Sequence, residues 1–178
     1  GIPDDAGDGF VTAGMAMRVN DWLVTARHLF FSEGKVGFGA KVVYLRSGLV
    51  TTKVTLGECV DLLEPGMTQE RVNGTFRDLV AYRLPQPAWA ALGAKSLRVS
   101  DLSHCGEGPI EVIGRPHDQL LITRGAIVRD DATERGSGLI SYTANTVQSF
   151  SGSPVLAKVG SNIKVVGLHV GAGVGVNH

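Results

Sequence analysis

Cysteine is scarce in this chain, with Cys59 and Cys105 the only two among 178 residues. That is too few for a disulfide framework, which points to a reducing compartment and to two buried thiols. No apolar run approaches the ~20 residues that cross a bilayer, so no transmembrane segment is expected. The first residues also lack a basic region followed by a hydrophobic one, and the sequence reads as soluble. Net charge is missing too. Lys and Arg total 17 against 17 Asp and Glu, so no global field draws the chain to nucleic acid or anionic lipid, and strong nucleic-acid binding is not expected. A local patch is compatible with that balance. No internal repeat and no long helical period is present. With the two cysteines far apart and histidines scattered at 104, 117 and 178, no zinc-ligand spacing occurs and no metal is expected. Gly171-Ala172-Gly173-Val174-Gly175 lacks the strand-to-helix context and the later acidic residue of a dinucleotide loop. It reads as a C-terminal loop, and no cofactor is implied.

What is abundant is glycine, 24 residues spread without a period, together with short β-rich runs. Gly1 to Gly9, with Asp4, Asp5 and Asp8, has little to bury and reads as a flexible N-terminal arm (1–9). Met15–Val19 and Trp22–Val24 flank an Asn20-Asp21 reversal, and Lys41–Arg46 and Leu49–Leu56 flank Ser47-Gly48. The run from Asp61 to Asn73, with Pro65-Gly66, reads as an exposed connection into a strand headed by Asp78. These make a first β-barrel over 10–85. Residues 86–95, with Pro87, a short helical turn through Trp89–Leu92 and Gly93, read as the linker. Strands at Ile110–Ile113, Gln119–Thr123, Gly125–Arg129, Leu139–Thr143, Pro154–Ala157 and Lys164–Val170, with a charged loop from Asp130 to Gly136, make a second barrel over 96–178.

Folding alone explains Thr146-Val147-Gln148-Ser149-Phe150-Ser151-Gly152-Ser153-Pro154-Val155 least well. A serine followed by Gly-x-Pro and an apolar strand puts a hydroxyl on a tight turn where backbone N–H groups can converge on an oxyanion. Such a turn is ordinary by itself, because turns select Ser, Gly and Pro. Two further segments change its meaning. Asp21-Trp22-Leu23-Val24-Thr25-Ala26-Arg27-His28 is an apolar strand ending at a histidine, and Phe76-Arg77-Asp78-Leu79-Val80-Ala81-Tyr82 places an aspartate at the head of an alternating strand. Histidine, aspartate and serine in that order supply the base, the orienting carboxylate and the nucleophile of a hydrolytic triad. Asp61, among Val60, Leu62 and Leu63, is a rival for the carboxylate.

These three segments resemble those of chymotrypsin-fold serine proteases, over nearly the whole chain. The resemblance implies an all-β fold of two antiparallel six-stranded β-barrels with the active site in the cleft between them. It assigns His28, Asp78 and Ser151 as the triad, with the N–H groups of Ser149 and Ser151 as the oxyanion hole. Ser149 departs from the glycine usual there, so the hole either forms on substrate binding or forms with slight backbone strain. Secreted relatives switch on when a new N-terminus pairs with an aspartate before the nucleophile. Phe150 stands at that position, so this ion pair is not expected and Ile2 after Gly1 is coincidental. His104-Cys105-Gly106 imitates the nucleophile turn of cysteine-using relatives but precedes most of the second-half strands.

Gly167-Leu168-His169-Val170-Gly171 resembles the pocket strand of viral members of the fold, the sobemovirus and polerovirus serine proteases and the picornavirus-type cysteine proteases. By that resemblance His169 and Thr146, with Asn177 as a further donor, bind the side chain before the scissile bond and favour Glu or Gln. The implied activity is a polyprotein-processing serine endopeptidase of a positive-strand RNA virus. Its substrate is the viral polyprotein with its neighbouring segments, and its place is the host cytoplasm, at a membrane if flanking segments anchor it. A cellular quality-control protease of the trypsin fold is one alternative. A catalytically idle double barrel that binds RNA or a replication partner is the other.

Overall fold

The computed structural model describes residues 2–3, 10–11, 13–31, 39, 41–57, 59–61, 71–72, 75–76, 78–99, 109–115, 119–128, 141–146, 150–170, 172–173 and 176–177. The first half holds β1 (Ile2–Pro3), β2 (Phe10–Val11), β3 (Ala16–Val19), β4 (Trp22–Ala26), α1 (His28–Phe31), β5 (Val42–Ser47), β6 (Val50–Thr55), β7 (Cys59–Asp61), β8 (Arg71–Val72), β9 (Thr75–Phe76) and β10 (Leu79–Arg83). After α2 (Gln86–Leu92) come β11 (Ile110–Gly114), β12 (Leu121–Gly125), β13 (Ile127–Val128), β14 (Ser141–Tyr142), β15 (Pro154–Val159), β16 (Asn162–Leu168), β17 (Ala172–Gly173) and β18 (Val176–Asn177).

The all-β expectation holds, and the named strands pair antiparallel. Among the described residues the ladders form four-stranded sheets β3-β4-β10-β7, β12-β11-β15-β16 and β13-β14-β18-β17, plus the ribbons β1-β2, β5-β6 and β8-β9. No ladder among these residues runs round into a closed barrel. Ile2–Pro3, inside the segment read as an arm, is paired with Phe10–Val11. The Pro65-Gly66 turn and the Asp130–Gly136 loop lie outside the described residues.

Two apolar clusters organise these sheets. Leu23, Val43, Val54, Leu56, Val80, Tyr82 and Leu84 form the first, and Ile110, Val112, Tyr142, Ala144, Phe150, Val155 and Ala157 form the second. Strand β11 alternates buried and half-buried residues, as period-2 patterning requires when one face meets a core. The 86–95 segment is more than a tether. Helix α2 starts with Pro87 in its first turn and stops at Gly93, whose left-handed φ of 64° and N–H to Trp89 O at 3.0 Å close the last turn. Its Trp89 and Leu92 are buried in the first cluster. The Asn20-Asp21 reversal joins β3 to β4, with Asn20 at φ 53°, a conformation asparagine tolerates. The Asp21 carbonyl then accepts from Leu84 N and Trp89 Nε1, both at 3.1 Å, which pins the hairpin to α2.

Candidate active site

Strand register builds the first part of the site. Strand β4 pairs with β10 so that Ala26 faces Leu79, which carries Arg27 opposite Asp78 one step beyond the ladder. Arg27 N donates to Asp78 O at 3.0 Å and His28 N donates to Asp78 Oδ1 at 2.7 Å. The remaining carboxylate oxygen, Oδ2, accepts from His28 Nδ1. One aspartate thus holds both the backbone and the ring of the histidine. Asp78 is buried, and its accepting oxygens are filled by the histidine it orients. Asp61 is excluded from that role by the same topology. It pairs opposite Val80 on the other edge of β10, so β10 separates it from β4 by two strand spacings, about 10 Å.

Ser151 arrives from the second cluster. With Nδ1 of His28 occupied by Asp78, Nε2 is the acceptor, and Ser151 Oγ stands 3.2 Å from it. The turn that carries Ser151 is fixed on several sides. Phe150 is fully buried, its ring against Gly114, where an added Cβ would meet ring carbons at 2.3 Å. Ser153 N donates to Phe150 O at 2.8 Å, Gly152 N to His169 O at 2.8 Å, and His169 N to Ser153 O at 2.9 Å. From the first half, Met15 N donates to Ser151 O at 2.7 Å, while Thr25 Oγ1 donates to Met15 O at 2.7 Å. Gly152 is required by this closeness. Its φ is 91° and a Cβ there would lie 1.9 Å from Met15 O.

Beside the serine, His169 and Tyr142 form a second arrangement. His169 follows β16, past a bulge at the Val155/Leu156 step of the β15–β16 ladder, and it is buried. Tyr142 is fully buried and hydrogen-bonds through its hydroxyl to His169 Nδ1, the two rings meeting edge to face at 5.9 Å and 68°. Burial pushes the Tyr142 phenol well above the ordinary tyrosine range. It therefore stays protonated, and its hydroxyl can donate to Nδ1, an arrangement that leaves the imidazole proton on Nε2. Thr146 is half-buried on the approach to the nucleophile turn. Asn177 pairs through its backbone opposite Tyr142 in the β14–β18 ladder. Ser149 lies outside the described residues, as do His104, Cys105, His117 and His178. Among the described residues no three His, Cys, Asp or Glu side chains gather as a metal set, and no helix is long and apolar enough to cross a membrane.

Sequence reasoning missed Tyr142, Met15 and Thr25. Tyr142 carried one weak signal, a hydroxyl-bearing ring in a short β-rich run. The Met15 contact is made by backbone, which no side-chain pattern reports.

No family model matches the chain, and no curated protein matches it. Solved structures do. The serine protease domain of the Sesbania mosaic virus polyprotein superposes with a TM-score of 0.55 at 21% identity, over 89% of this chain and 73% of that one. The serine protease of a human pathogenic astrovirus gives a TM-score of 0.59 at 15% identity, over 92% and 79%. The serine endoprotease from Yersinia pestis gives 0.60 at 15% identity, covering 92% of this chain and 51% of that one. At these identities the likeness is one of fold, and the fold is the chymotrypsin-like double barrel.

Proposed function

We propose that this chymotrypsin-fold chain is a serine endopeptidase that processes a viral polyprotein by acyl transfer, cutting after Glu or Gln. The observation that carries this reading is the His28 ring, bonded to Asp78 through Nδ1 and standing 3.2 Å from Ser151 Oγ through Nε2. Ser151 Oγ attacks the scissile carbonyl while His28 takes its proton. The tetrahedral intermediate collapses, the C–N bond breaks and the amine leaves with that proton. Water, deprotonated by His28, then releases the acid from the Ser151 ester. Asp78 keeps the His28 proton on Nδ1 and stabilises the imidazolium of each transition state. The N–H groups of Ser151 and Ser149 receive the oxyanion, each worth ~3 kcal/mol when aimed at it.

The preference for Glu or Gln rests on His169 with its proton on Nε2, a donor to an acceptor-bearing side chain, with Thr146 and Asn177 taken as further donors by the sequence resemblance. Tyr142 supports this by holding the tautomer. The viral reading is supported by the viral serine proteases among the solved structures of like fold. The substrate is then a polyprotein with its neighbouring segments, met in the host cytoplasm.

A peptide library read by mass spectrometry tests the reading. Cleavage after Glu or Gln is expected from the wild type and none from Ser151→Ala. The His169→Ala variant is expected to retain cleavage with that preference lost. Cleavage that survives Ser151→Ala, or a preference that survives His169→Ala, contradicts it.

A further inference from the structure

Among the described residues the β5–β6 ribbon pairs only with itself. Its inner end is fastened, with Val43, Val54 and Leu56 in the first cluster and Leu56 N donating to Lys41 O at 2.6 Å. Its outer end closes where Ser47 pairs with Val50, leaving Gly48-Leu49 as the turn, Gly48 at φ 59°. Leu49 is 102% exposed and Val50 43%. Two-residue hairpin turns select Gly with Asn, Asp or Ser for backbone reasons, and none of those reasons calls for leucine. A lone exposed leucine needs no explanation. The charges around it do.

Residues 41–57 contain Lys41, Arg46 and Lys53 and no Asp or Glu, in a chain whose acids and bases cancel overall. All three cations are exposed. The register Arg46↔Thr51 and Tyr44↔Lys53 puts Arg46 and Lys53 on one face as diagonal neighbours, and Arg46 Nε donates to Thr51 Oγ1 at 3.0 Å. Lys53 lies two residues behind Thr51 on the ribbon, and Arg46, level with Thr51, lies two residues behind Leu49, about 7 Å back along the ribbon at ~3.3 Å per residue. That is the depth by which an interfacial segment enters the headgroup boundary, roughly 5–10 Å. An apolar tip with a cationic collar one headgroup layer behind it matches the layering of an anionic bilayer.

We propose that the β5–β6 tip docks on an anionic lipid surface, Leu49 and Val50 entering the boundary layer while Arg46 and Lys53 meet lipid phosphates. The contact is weak and reversible, because two side chains bury little and stable anchoring takes a second signal. Each cation near such a surface multiplies affinity about fivefold.

Flotation of the 178-residue chain with phosphatidylglycerol–phosphatidylcholine vesicles tests this, with pure phosphatidylcholine vesicles as the neutral arm. The chain is expected to float with the anionic vesicles and stay behind with the neutral ones. Raising NaCl from 0.1 to 1 M is expected to release it, as the screening length falls from about 10 to about 3 Å. The Arg46→Ala/Lys53→Ala pair is expected to lower partitioning about 25-fold, and Leu49→Ser several-fold, both at unchanged melting temperature. Absence from anionic vesicles at low salt overturns the proposal, as does wild-type partitioning by Leu49→Ser. Equal partitioning on neutral vesicles overturns the charge assignment. Ser151→Ala is expected to float like the wild type, so docking and peptide cleavage fail independently.

Discussion

At the scale of single residues, Tyr142 is the side chain whose chemistry reaches furthest. Above pH ~10, where an unfolded tyrosine ionises, the unfolded chain sheds a proton that buried Tyr142 keeps in the folded state. The raised folded pKa therefore contributes stability that is present below pH ~10 and lost as pH rises further. Urea unfolding at a series of alkaline pH values checks this. Tyr142→Phe is expected to fall less steeply with pH than the wild type above pH ~10, and parallel curves would contradict the assignment. His28, Asp78 and Ser151 were legible one by one as candidates because each ends, heads or precedes an apolar strand in the order a triad requires. The preference for Asp78 over Asp61 was legible locally, because Asp78 opens a long β-run whereas Pro65-Gly66 closely follows Asp61, and the β7-β10-β4 order separates the two in space. Tyr142 was illegible, because its partner His169 is 27 residues away along the chain.

At the scale of elements, the nucleophile turn is strapped to β4 through β3's approach. Thr25, buried on β4, donates to Met15 O, and Met15 N donates to Ser151 O. Thr25→Val keeps the shape and removes the donor, leaving a carbonyl without that partner beside Gly152. A loss of about 1–3 kcal/mol in stability is expected from the lost bond. Because Thr25 acts through Met15, kcat is expected to drop about tenfold with KM little changed, a 1.4 kcal/mol effect on the transition state. Steady-state kinetics beside Thr25→Ser decides it, since serine restores the hydroxyl and is expected to restore kcat. A fall in KM-dependent terms alone would point to substrate binding instead. Hairpins β3–β4, β5–β6 and β15–β16 were readable from alternation and turn residues. Two-residue strands such as β8, β9, β17 and β18 are too short to show any period.

At the scale of the molecule, the site exists because two cores meet. His28 and Asp78 stand at the ends of β4 and β10, while Ser151 hangs from the second core by Phe150. The segment after α2 stitches the halves, with Leu97 N to Arg18 O at 2.8 Å, Val165 N to Arg98 O at 2.7 Å, and a parallel bridge from Val99 to Val165. Trp89 anchors the start of that stitch. It is buried, bonds Asp21 O, and lies under the Arg18 guanidinium at 5.1 Å. Trp89→Ala is expected to cost about 3–5 kcal/mol in urea unfolding, and a change under about 1 kcal/mol would show that the helix is not part of the first core. The all-β character and the order of most strands were readable from strand patterning, whereas the stitch depends on backbone groups that carry no sequence signal. The central claim is that Ser151 is a nucleophile activated by His28 and oriented through Asp78, and covalent labelling with a fluorophosphonate, followed by intact-mass and peptide mapping, tests it most directly. A single adduct on Ser151 is expected in the wild type, none in Ser151→Ala, and labelling slowed by about 10³–10⁴-fold in Asp78→Asn. Equal labelling of the three proteins, or an adduct at another residue, would contradict it.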